Sequence, residues 1–391
     1  MCKALYPLSG DPIHNGHLEI IKKAASVFEE VVVGFAINED KKGLFTLNER
    51  LDLAEQALKH LGLTNVKVAY YKGLTVDYAK KHGINYLVRG VRNIKDFAYE
   101  QKMALVNNKI CPSINTILFL TDIKFQNISS SLVKNLSNYN CFITKDIRNV
   151  LDYIPMNVKK ALEIKQGQYI IGITGEIAAG KSFVAERLVT LFKMYKHTTV
   201  HILELDDIAH AVLGIEKDFT RVYDDEEFKA TRIRLVEVFG KEIMMKNGCI
   251  QRKVLGKKIW GIENRERNKE FNKIMGPPVL RLVREKLQYS KGIILFVTGI
   301  LVEENLSSIC NNDVVLIHSK DTIINKRMAE RGLSEKEISK RKVSMLCFEE
   351  KKALLDKKIK KDGTGHLWEY DSSTDLEPLA KNILIYLEVK T

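Results

Sequence analysis

The chain has 391 residues, which at about 100 to 200 residues per domain predicts two globular domains. Hydrophobic residues make up 45% and charged residues 28%, with 23 glycines and 7 prolines, and this composition excludes a collagen-like, low-complexity or largely disordered chain. The formal net charge of +13 is compatible with nucleic acid, a membrane surface or anionic small molecules as partners.

Hydropathy does not predict export or membrane insertion. The apolar run at the N-terminus is interrupted at Pro7 and Asp11, so it lacks the long apolar region of a secretory signal, and no stretch reaches 18 uninterrupted apolar residues. The six cysteines, at positions 2, 111, 141, 249, 310 and 347, never approach the two-residue spacing of a zinc or redox motif. We therefore expect a reduced, cytoplasmic protein that does not bind membranes.

The positive charge is shared between the two halves of the chain. Residues 1–165 contain 23 basic and 16 acidic residues, and residues 166–391 contain 39 and 33, so the net charges are +7 and +6. Because no basic arm collects the excess, the pattern argues against a nucleic-acid-binding tail and leaves a folded basic face open. Two separate sites for phosphorylated ligands fit the charge equally well.

The first part of the chain alternates short apolar runs with helical patterns. We predict buried strands at Ala4–Tyr6, Val31–Ile37, Val66–Ala69, Tyr86–Val88 and Thr116–Leu120. Helical spacing is found at Leu18–Phe28, Leu47–Leu61, Thr75–His82, Lys95–Lys109 and Pro155–Ile164. Thr46 and Glu49 form a capping box before the second of these helices. The series predicts an α/β fold, a doubly wound parallel sheet with helices on both faces.

The second part restarts this pattern after the polar stretch at 165–168. We predict strands at Tyr169–Thr174, Val200–Leu205, Ile293–Val297 and Val314–His318, and a helix at Lys181–Tyr195. The segment from Asp218 to Gln288 is charged and mostly helical, with a predicted break at Gly276-Pro277-Pro278. Placing the boundary after Lys165 gives two doubly wound parallel-sheet domains, residues 1–165 and 166–391.

A histidine-containing loop follows the first strand and opens onto a helix. A strand-loop-helix junction offers free backbone N–H groups and the positive end of a helix dipole, which favour a phosphate. Within this loop, His14 and His17 are separated by Gly16, so both imidazoles can approach such a phosphate and donate hydrogen bonds to it. The alternative is that the two histidines are capping and packing residues, but the strand-to-helix context favours a ligand site.

These residues resemble the signature of the nucleotidyltransferase superfamily, and residues 3 to about 162 resemble bacterial phosphopantetheine adenylyltransferase. Three further segments are similar to that family: the lysine loop Lys41–Arg50, the arginine segment Leu87–Arg92 with Asp96–Glu100, and the triphosphate-side motif Ile128–Lys134. The resemblance implies a Rossmann-like fold. It also implies attack of the 4′-phosphopantetheine phosphate on the α-phosphorus of ATP, which releases pyrophosphate and forms dephospho-coenzyme A.

The resemblance also implies the roles of individual residues. His17, Lys41 and Arg89 would be catalytic, and the phosphopantetheine would be bound by Ser9, Lys41, Thr75 and Arg89. The ATP-binding set would be Ser9, Gly10, His14, His17, Gly90, Arg92, Glu100, Ser129, Ser130 and Ser131. The family usually has threonine at the position of His14, whereas histidine is normal there in the wider superfamily, including nicotinate mononucleotide adenylyltransferases.

A second phosphate-binding motif starts the second part of the chain. Residues 175–182 read Gly-Glu-Ile-Ala-Ala-Gly-Lys-Ser, directly after a strand and before a helix, which is the Walker A spacing. In such a loop backbone N–H groups surround the phosphates, Lys181 reaches the β and γ oxygens, and the Ser182 hydroxyl ligates Mg²⁺. We therefore predict a P-loop nucleotide site at Gly175, Ala178, Ala179, Gly180, Lys181, Ser182 and Phe183, with Mg²⁺ as cofactor and Ser182 as its ligand.

The segment after the next strand, Leu203–Ala209, resembles the acidic segment of dephospho-coenzyme A kinase. Phe239–Ile243 and Arg331–Glu335 resemble later parts of that family. The resemblance implies that Asp206 accepts the proton of the ribose 3′-hydroxyl as it attacks the γ-phosphate of ATP. Arg327, Arg331 and Arg341 are spaced to lie on lid helices that could cover the phosphoryl group.

This half departs from the kinase pattern at four positions. Glu204 stands where aspartate is usual, His210 replaces an arginine, Gly276 replaces a histidine, and Val297 stands where the family has an aspartate at the end of a strand. Glu303 is the acidic residue that lies nearby in sequence.

The two resemblances name consecutive reactions, so we expect a bifunctional enzyme that uses ATP, 4′-phosphopantetheine and dephospho-coenzyme A and releases coenzyme A. Single-domain members of the first family commonly form hexamers, which makes a homo-oligomer one expectation. Two alternatives stay open: a degenerate kinase domain that regulates the first, and a nicotinamide mononucleotide adenylyltransferase joined to a ribosylnicotinamide kinase. The second alternative is opposed by the serine block at 129–131 and by the Asp206 segment.

Overall fold

A computed structural model describes residues 2–37, 43–140, 152–196, 198–214, 225–261, 264–330, 332, 338–339, 342 and 345–390. Within these residues the chain divides into two compact units. The first contains residues 2–138 and 152–162, and the second contains residues 139–140 and 163–390. The contacts thus divide at residue 162, and the functional boundary after Lys165 stays a prediction.

The described part of the first unit contains a five-stranded parallel sheet in the order β3-β2-β1-β4-β5. Its strands are β1 (Lys3–Leu8), β2 (Glu30–Ile37), β3 (Val66–Lys72), β4 (Tyr86–Val91) and β5 (Asn115–Leu120). The central strand β1 pairs with β2 on one side and with β4 on the other. The strand order therefore reverses next to the carboxyl end of β1, which is where open α/β sheets bind ligands.

Helices of the first unit follow the predicted pattern. They are α1 (Asn15–Ala25), α2 (Leu47–His60), α3 (Thr75–Lys81), α4 (Ile94–Ile110), α5 (Ser130–Asn138) and α6 (Met156–Lys165), the last of which runs past the division between the units. Thr46 caps α2 and its hydroxyl accepts a hydrogen bond from the Glu49 N–H at 3.3 Å, while the Glu49 carboxylate accepts from the Thr46 N–H at 2.7 Å. The predicted capping box is therefore confirmed.

The apolar strand residues explain why this sheet is covered. Leu5, Val32 and Leu87, on three adjacent strands, pack against Val76 and Ala79 of α3, and each of the five is at most 8% exposed. Burial of such side chains on parallel strands stabilises the sheet by roughly 1.5 to 3 kcal/mol for each large one. The loops at the carboxyl ends of β1 and β4 are thereby held in place by a packed core.

The second unit contains another five-stranded parallel sheet, in the order β10-β9-β6-β8-β7. Its described strands are β6 (Gln168–Gly175), β7 (Val200–Glu204), β8 (Gly292–Val297), β9 (Asp313–His318) and β10 (His366–Asp371). Alternate residues of each central strand enter two different cores: Ile294 and Phe296 lie in one, and Ile293 and Leu295 in the other. Both faces of the sheet are thus covered by helices, which confirms the predicted α/β fold class.

The helices of the second unit are α7 (Lys181–Lys196), α8 (Leu205–Val212), α9 (Glu226–Phe239), α10 (Arg252–Ile259), α11 (Arg265–Gln288), α12 (Asp321–Glu330), α13 (Phe348–Asp362) and α14 (Glu377–Lys390). The predicted break at Gly276-Pro277-Pro278 is wrong, because α11 runs through both prolines. Met275, Pro278 and Val279 are buried there. Core packing therefore outweighs the two backbone hydrogen bonds that the prolines cannot donate.

In the described ranges, no helix combines the length and the apolar character that a membrane crossing requires.

Candidate active sites

The loop between β1 and α1 places His14 and His17 face to face. Their rings are stacked, with centroids 3.6 Å apart and an angle of 19° between the planes. Each imidazole caps the other's backbone: the His17 N–H donates to Nδ1 of His14, and the His14 N–H donates to Nδ1 of His17, both at 3.3 Å. Because both Nδ1 atoms are acceptors, a neutral ring in this pair carries its proton on Nε2.

The protonation state of this histidine pair follows from its burial. Burial, together with the nearby Arg92, lowers the pKa of His14 from its usual value to about 3. Burial also lowers the pKa of His17 well below the ordinary range, reinforced by His14. At neutral pH the site therefore presents two uncharged Nε2–H donors, which suit the oxygens of a phosphate.

Arg89, on β4, is oriented by the carboxylate of Glu100 on α4. Its Nε and one terminal nitrogen donate to the two oxygens of Glu100 at 2.8 and 2.7 Å, and the other terminal nitrogen donates to the Pro7 carbonyl at 2.7 Å. A guanidinium has five N–H groups, so two of them are not used by these three bonds. Glu100, predicted to line the nucleotide, is 8% exposed and lies against Arg89 in the structure.

Further residues of the predicted ATP-binding set lie around the same loop. Arg92 donates to Asp96 at 2.7 Å and to the Ile128 carbonyl at 2.9 Å, which ties β4 to the segment before α5. The Ser130 hydroxyl donates to the Pro12 carbonyl at 2.9 Å, and the Ser129 hydroxyl accepts from the Leu132 N–H at 3.2 Å. The serine block thus starts α5 directly beside the histidine loop.

Two glycines of the predicted set are required by their surroundings. Gly10 has a φ of +55°, and a Cβ there would lie 2.4 Å from the Phe35 ring. A Cβ on Gly90 would lie 2.9 Å from Ile20. Any larger residue would push the loop or β4 away from the core, so both glycines serve close packing around the site.

Thr75, predicted to bind substrate, is held by an aromatic side chain. The Tyr71 hydroxyl and Thr75 Oγ1 are 2.9 Å apart, and the Tyr71 ring stacks on Tyr78 with centroids 4.8 Å apart. Burial raises the pKa of Tyr71, and Arg89 opposes that rise, so the tyrosine lies within electrostatic reach of the arginine. The structure brings Thr75 and Arg89 to the same end of the sheet. No motif in the sequence indicated that Tyr71 lies beside Thr75.

The Walker A segment folds as a phosphate-binding loop between β6 and α7. Gly175 has a φ of +158° and Gly180 a φ of +98°, and a Cβ on Gly175 would lie 2.2 Å from the Ile317 carbonyl oxygen. Ala178 also adopts a positive φ, of +57°, without being glycine. The Lys181 ammonium donates to the Glu176 carbonyl at 2.9 Å, inside the loop. This geometry directs backbone N–H groups and a lysine toward one anion site.

Acidic residues follow β7 close to the loop. The Ser182 hydroxyl is hydrogen-bonded to the Glu204 carboxylate, whose pKa burial raises. Asp206 lies in the first turn of α8 and is exposed, with Asp207 beside it. A serine hydroxyl and carboxylate oxygens are hard donors, so the residues present fit Mg²⁺.

Further side chains of the second unit approach the loop region from helices α12 and α13. Arg327 of α12 donates to the Ala178 carbonyl at 3.1 Å. Lys351, fully buried on α13, donates to the Gly299 carbonyl at 2.6 Å and pairs with Glu303 at 2.8 Å. No pattern in the sequence signalled Lys351, because a lysine on a lysine-rich helix normally lies in solvent. Lys41, Arg331 and Arg341 lie outside the described residues.

The family model for dephospho-CoA kinase matches residues 169–366, just over half of the chain. A phosphopantetheine adenylyltransferase of Desulforudis audaxviator is 43% identical over 164 residues, which are 42% of this chain and 95% of that protein. A second, from Dictyoglomus thermophilum, is 42% identical over 139 residues, 36% of this chain and 84% of that protein. The chain belongs to the phosphopantetheine adenylyltransferase and dephospho-CoA kinase families.

Residues 9–136 of the adenylyltransferase unit also match the cytidylyltransferase-like family model. Among solved structures, that of TT1252 from Thermus thermophilus is similar to 57% of this chain and 98% of its own, with 23% identity and a TM-score of 0.42. The family assignments confirm that this adenylyltransferase/kinase is a transferase whose two parts belong to the last two steps of coenzyme A synthesis. They favour this interpretation over the pyridine-nucleotide alternative.

Proposed function

We propose that the chain converts 4′-phosphopantetheine to coenzyme A in two ATP-dependent steps, one at each loop. The observation that carries the proposal is the pair of strand-loop-helix sites, each on a unit that a different family matches. The first step joins the phosphopantetheine phosphate to the α-phosphorus of ATP, and the second transfers a γ-phosphoryl group to the 3′-hydroxyl of dephospho-CoA.

In the first step the nucleophile is a phosphate that is already ionised. Catalysis therefore depends mainly on aligning the two substrates and on stabilising the charge of the transition state. We assign the neutral Nε2–H of His17 to the α-phosphate, where it stabilises the charge that develops in the pentavalent transition state. The N–H groups of Arg89 that do not bond to Glu100 or Pro7 would donate hydrogen bonds to the incoming phosphate. Ser9, Lys41 and Thr75 would also contact the phosphopantetheine. Glu100 therefore acts by orienting Arg89.

The nucleotide of the first step is assigned to the loop, to β4 and to the start of α5. Gly10, His14, Gly90 and Arg92 would contact its adenosine and α-phosphate side. The hydroxyls and helix-start N–H groups of Ser129, Ser130 and Ser131 would bind the β and γ phosphates, because the N-terminus of a helix favours negative charge.

In the second step the Walker A loop would hold the donor ATP. Backbone N–H groups of residues 175–183 surround its phosphates, and Lys181 moves from the Glu176 carbonyl to the β and γ oxygens. Mg²⁺ would be held by Ser182, with Glu204 beside it, and when bound it neutralises charge on the phosphates. Asp206 would accept the proton of the attacking 3′-hydroxyl, since an exposed carboxylate near the loop can reach a substrate bound there.

Arg327 supports the kinase site from the outer side. Its guanidinium holds the Ala178 carbonyl and lies 3.2 Å from the position that a Gly180 Cβ would occupy. We propose that it stabilises the loop conformation and the transferring phosphoryl group together. The homo-oligomer stays a prediction from the resemblance, and the cytoplasmic location stays a prediction from the cysteine spacing and hydropathy.

The proposal is tested by product analysis after incubation of the full chain with 4′-phosphopantetheine, ATP and Mg²⁺. We expect coenzyme A and pyrophosphate from the wild-type chain. Lys181→Ala should give dephospho-CoA and pyrophosphate without coenzyme A, and His17→Ala should give neither coenzyme A nor pyrophosphate. Lys67→Met, which removes an exposed lysine on β3, is the matched control and should resemble wild type. If dephospho-CoA were the end product of the wild-type chain, the result would instead support a degenerate kinase domain. That second candidate is favoured by one observation, Val297 in place of the aspartate that the kinase family has at this position.

A further inference from the structure

Asp11 lies at the centre of the loop between β1 and α1 and has no role in the proposal above. The residue is 9% exposed, and its carboxylate accepts three hydrogen bonds. Oδ1 accepts from the Phe45 N–H at 2.9 Å, and Oδ2 accepts from the Leu44 N–H at 3.0 Å and from the Lys134 ammonium at 2.9 Å. One side chain is therefore bonded to two other segments of the unit.

The three segments joined by Asp11 are those that surround the first active site. Asp11 follows Ser9 in the loop, Leu44 and Phe45 lead into α2, and Lys134 lies on α5 one turn after the serine block. The backbone at residue 43 lies close to the carboxylate, because a Cβ on Gly43 would be 3.3 Å from Oδ2. The carboxylate is thus shared between the loop, α2 and α5.

Two further bonds run in parallel with this carboxylate. Arg50 of α2 donates to the Ser9 carbonyl at 2.9 Å, and Ser130 of α5 donates to the Pro12 carbonyl at 2.9 Å. Each of these bonds joins one segment to the loop, whereas the Asp11 carboxylate is bonded to both segments. The Asp11–Lys134 bond also pairs two full charges, so Asp11 contributes most to the connection.

The charge on Asp11 is kept by the groups around it. Burial alone would raise its pKa, but the Lys134 ammonium and the Phe45 and Leu44 N–H groups together hold the pKa of Asp11 below its ordinary value. The carboxylate therefore stays ionised near neutral pH and accepts all three bonds at once.

We propose that Asp11 is a positioning residue for adenylyl transfer, which fixes α5 and the start of α2 relative to the loop that carries Ser9 and His17. The inference rests on the proposed function of the first unit. Its consequence is that loss of the carboxylate displaces the serine block from the ATP phosphates. That displacement weakens ATP binding in the competent geometry even when the unit stays folded.

The test compares Asp11→Asn, Lys134→Met and the double variant in the full chain, with separate KM values for ATP and for 4′-phosphopantetheine. Asparagine has the shape of aspartate, but it turns an NH₂ group toward one or more of the three donors. A unit that is only destabilised loses active molecules, which lowers kcat and leaves both KM values unchanged. Misplaced α5 raises KM for ATP instead.

We expect Asp11→Asn to lower kcat/KM for ATP by about tenfold or more, and Lys134→Met to raise KM for ATP by about threefold or more, with KM for phosphopantetheine unchanged in the latter. Because Asp11 and Lys134 form one contact, the kcat/KM for ATP of the double variant should be at most about twofold lower than that of Asp11→Asn. Lys67→Met is the control, because it also removes a lysine ammonium that lies 3.0 Å from a carboxylate, that of Glu30, but on the exposed edge of the sheet. It should change neither the KM for ATP nor the KM for 4′-phosphopantetheine.

Activity of the kinase unit on added dephospho-CoA serves as an internal measure of intact protein. If adenylyl transfer by Asp11→Asn equals that of wild type, or if the two variants act independently, the inference is wrong. If Asp11→Asn does not fold, Lys134→Met decides the question, because it leaves both backbone bonds of Asp11 in place, and an unchanged KM for ATP overturns the inference. A wild-type chain that makes no dephospho-CoA would instead refute the proposed function itself.

Discussion

His14 and His17 are held neutral by burial, and this has a consequence for stability. An unfolded histidine has a pKa of about 6.5, whereas that of folded His14 is about 3. Below pH 6.5 the unfolded chain binds a proton that the folded loop does not, so the free energy of unfolding falls as the pH drops toward 3. We expect His14 to account for a loss of about 1.4 kcal/mol between pH 7.5 and 5.5.

This loss is measured by urea unfolding at the two pH values for wild type and for His14→Thr, the residue usual in the family. The difference between the two proteins isolates His14 from the titration of all other groups. An equal pH dependence in both would contradict the assignment. The imidazole signal that disappears in His14→Thr should also fail to titrate between pH 5 and 8 in proton NMR.

Single-residue features of the site differ in how far they could be predicted. The Walker A loop and the His14–His17 pair follow from short motifs, because phosphate binding constrains residue type and spacing locally. The partners of Asp11 at positions 44, 45 and 134 are separated from it by up to 123 residues, and no local pattern encodes such a meeting. Tyr71 beside Thr75 was missed for a related reason, since a tyrosine in a strand is equally well explained by packing.

Among the elements, the strands of both sheets were mostly predicted because parallel strands are apolar on both faces. The missed strand β10 reads His-Leu-Trp-Glu-Tyr-Asp, in which only the last four residues alternate in polarity. Among the described strands it pairs with β9 alone, at the edge of the sheet. The continuous helix α11 was predicted to break because proline is a strong local signal. Its buried side chains contribute a tertiary term that a local pattern does not contain.

One contact between elements carries a prediction for the kinase unit. Lys351 joins α13 to the loop after β8 through the Gly299 carbonyl and Glu303, and the Leu346 N–H also donates to Glu303 at 3.3 Å. Burial lowers the pKa of Lys351, and Glu303 opposes that effect. Removal of one partner leaves a charge poorly paired, so we expect Lys351→Ala or Glu303→Ala to destabilise the unit by about 3 kcal/mol.

The same contact is expected to affect activity, because a Cβ on Gly299 would lie 3.8 Å from the Lys181 ammonium. The measurement is the midpoint temperature for loss of dephospho-CoA phosphorylation, with adenylyl transfer by the same chain as the control. The double variant Lys351→Met with Glu303→Leu should recover part of the loss, since it removes both charges and keeps the volume. Equal midpoints for the wild-type and single-variant chains would show that the pair contributes nothing to the stability of the unit.

At the scale of the whole molecule, two units with separate cores each carry a strand-loop-helix junction of the kind that binds phosphate. The net charge of +13 is divided almost equally between the two parts of the sequence, as expected when each part binds polyanionic nucleotides. Dephospho-CoA is the product of one site and the substrate of the other. The two sites therefore need no shared residue for the overall reaction.

This independence predicts complementation between two inactive chains. We expect neither His17→Ala nor Lys181→Ala alone to make coenzyme A from 4′-phosphopantetheine. A mixture of them should make it, because dephospho-CoA released by the Lys181→Ala chain can be phosphorylated by the His17→Ala chain. Coenzyme A should appear after a lag that shortens as the concentration of the His17→Ala chain rises. Each chain must first show its remaining single activity. A mixture of such chains that accumulates dephospho-CoA without coenzyme A would mean that the kinase site accepts only an intermediate made on its own chain.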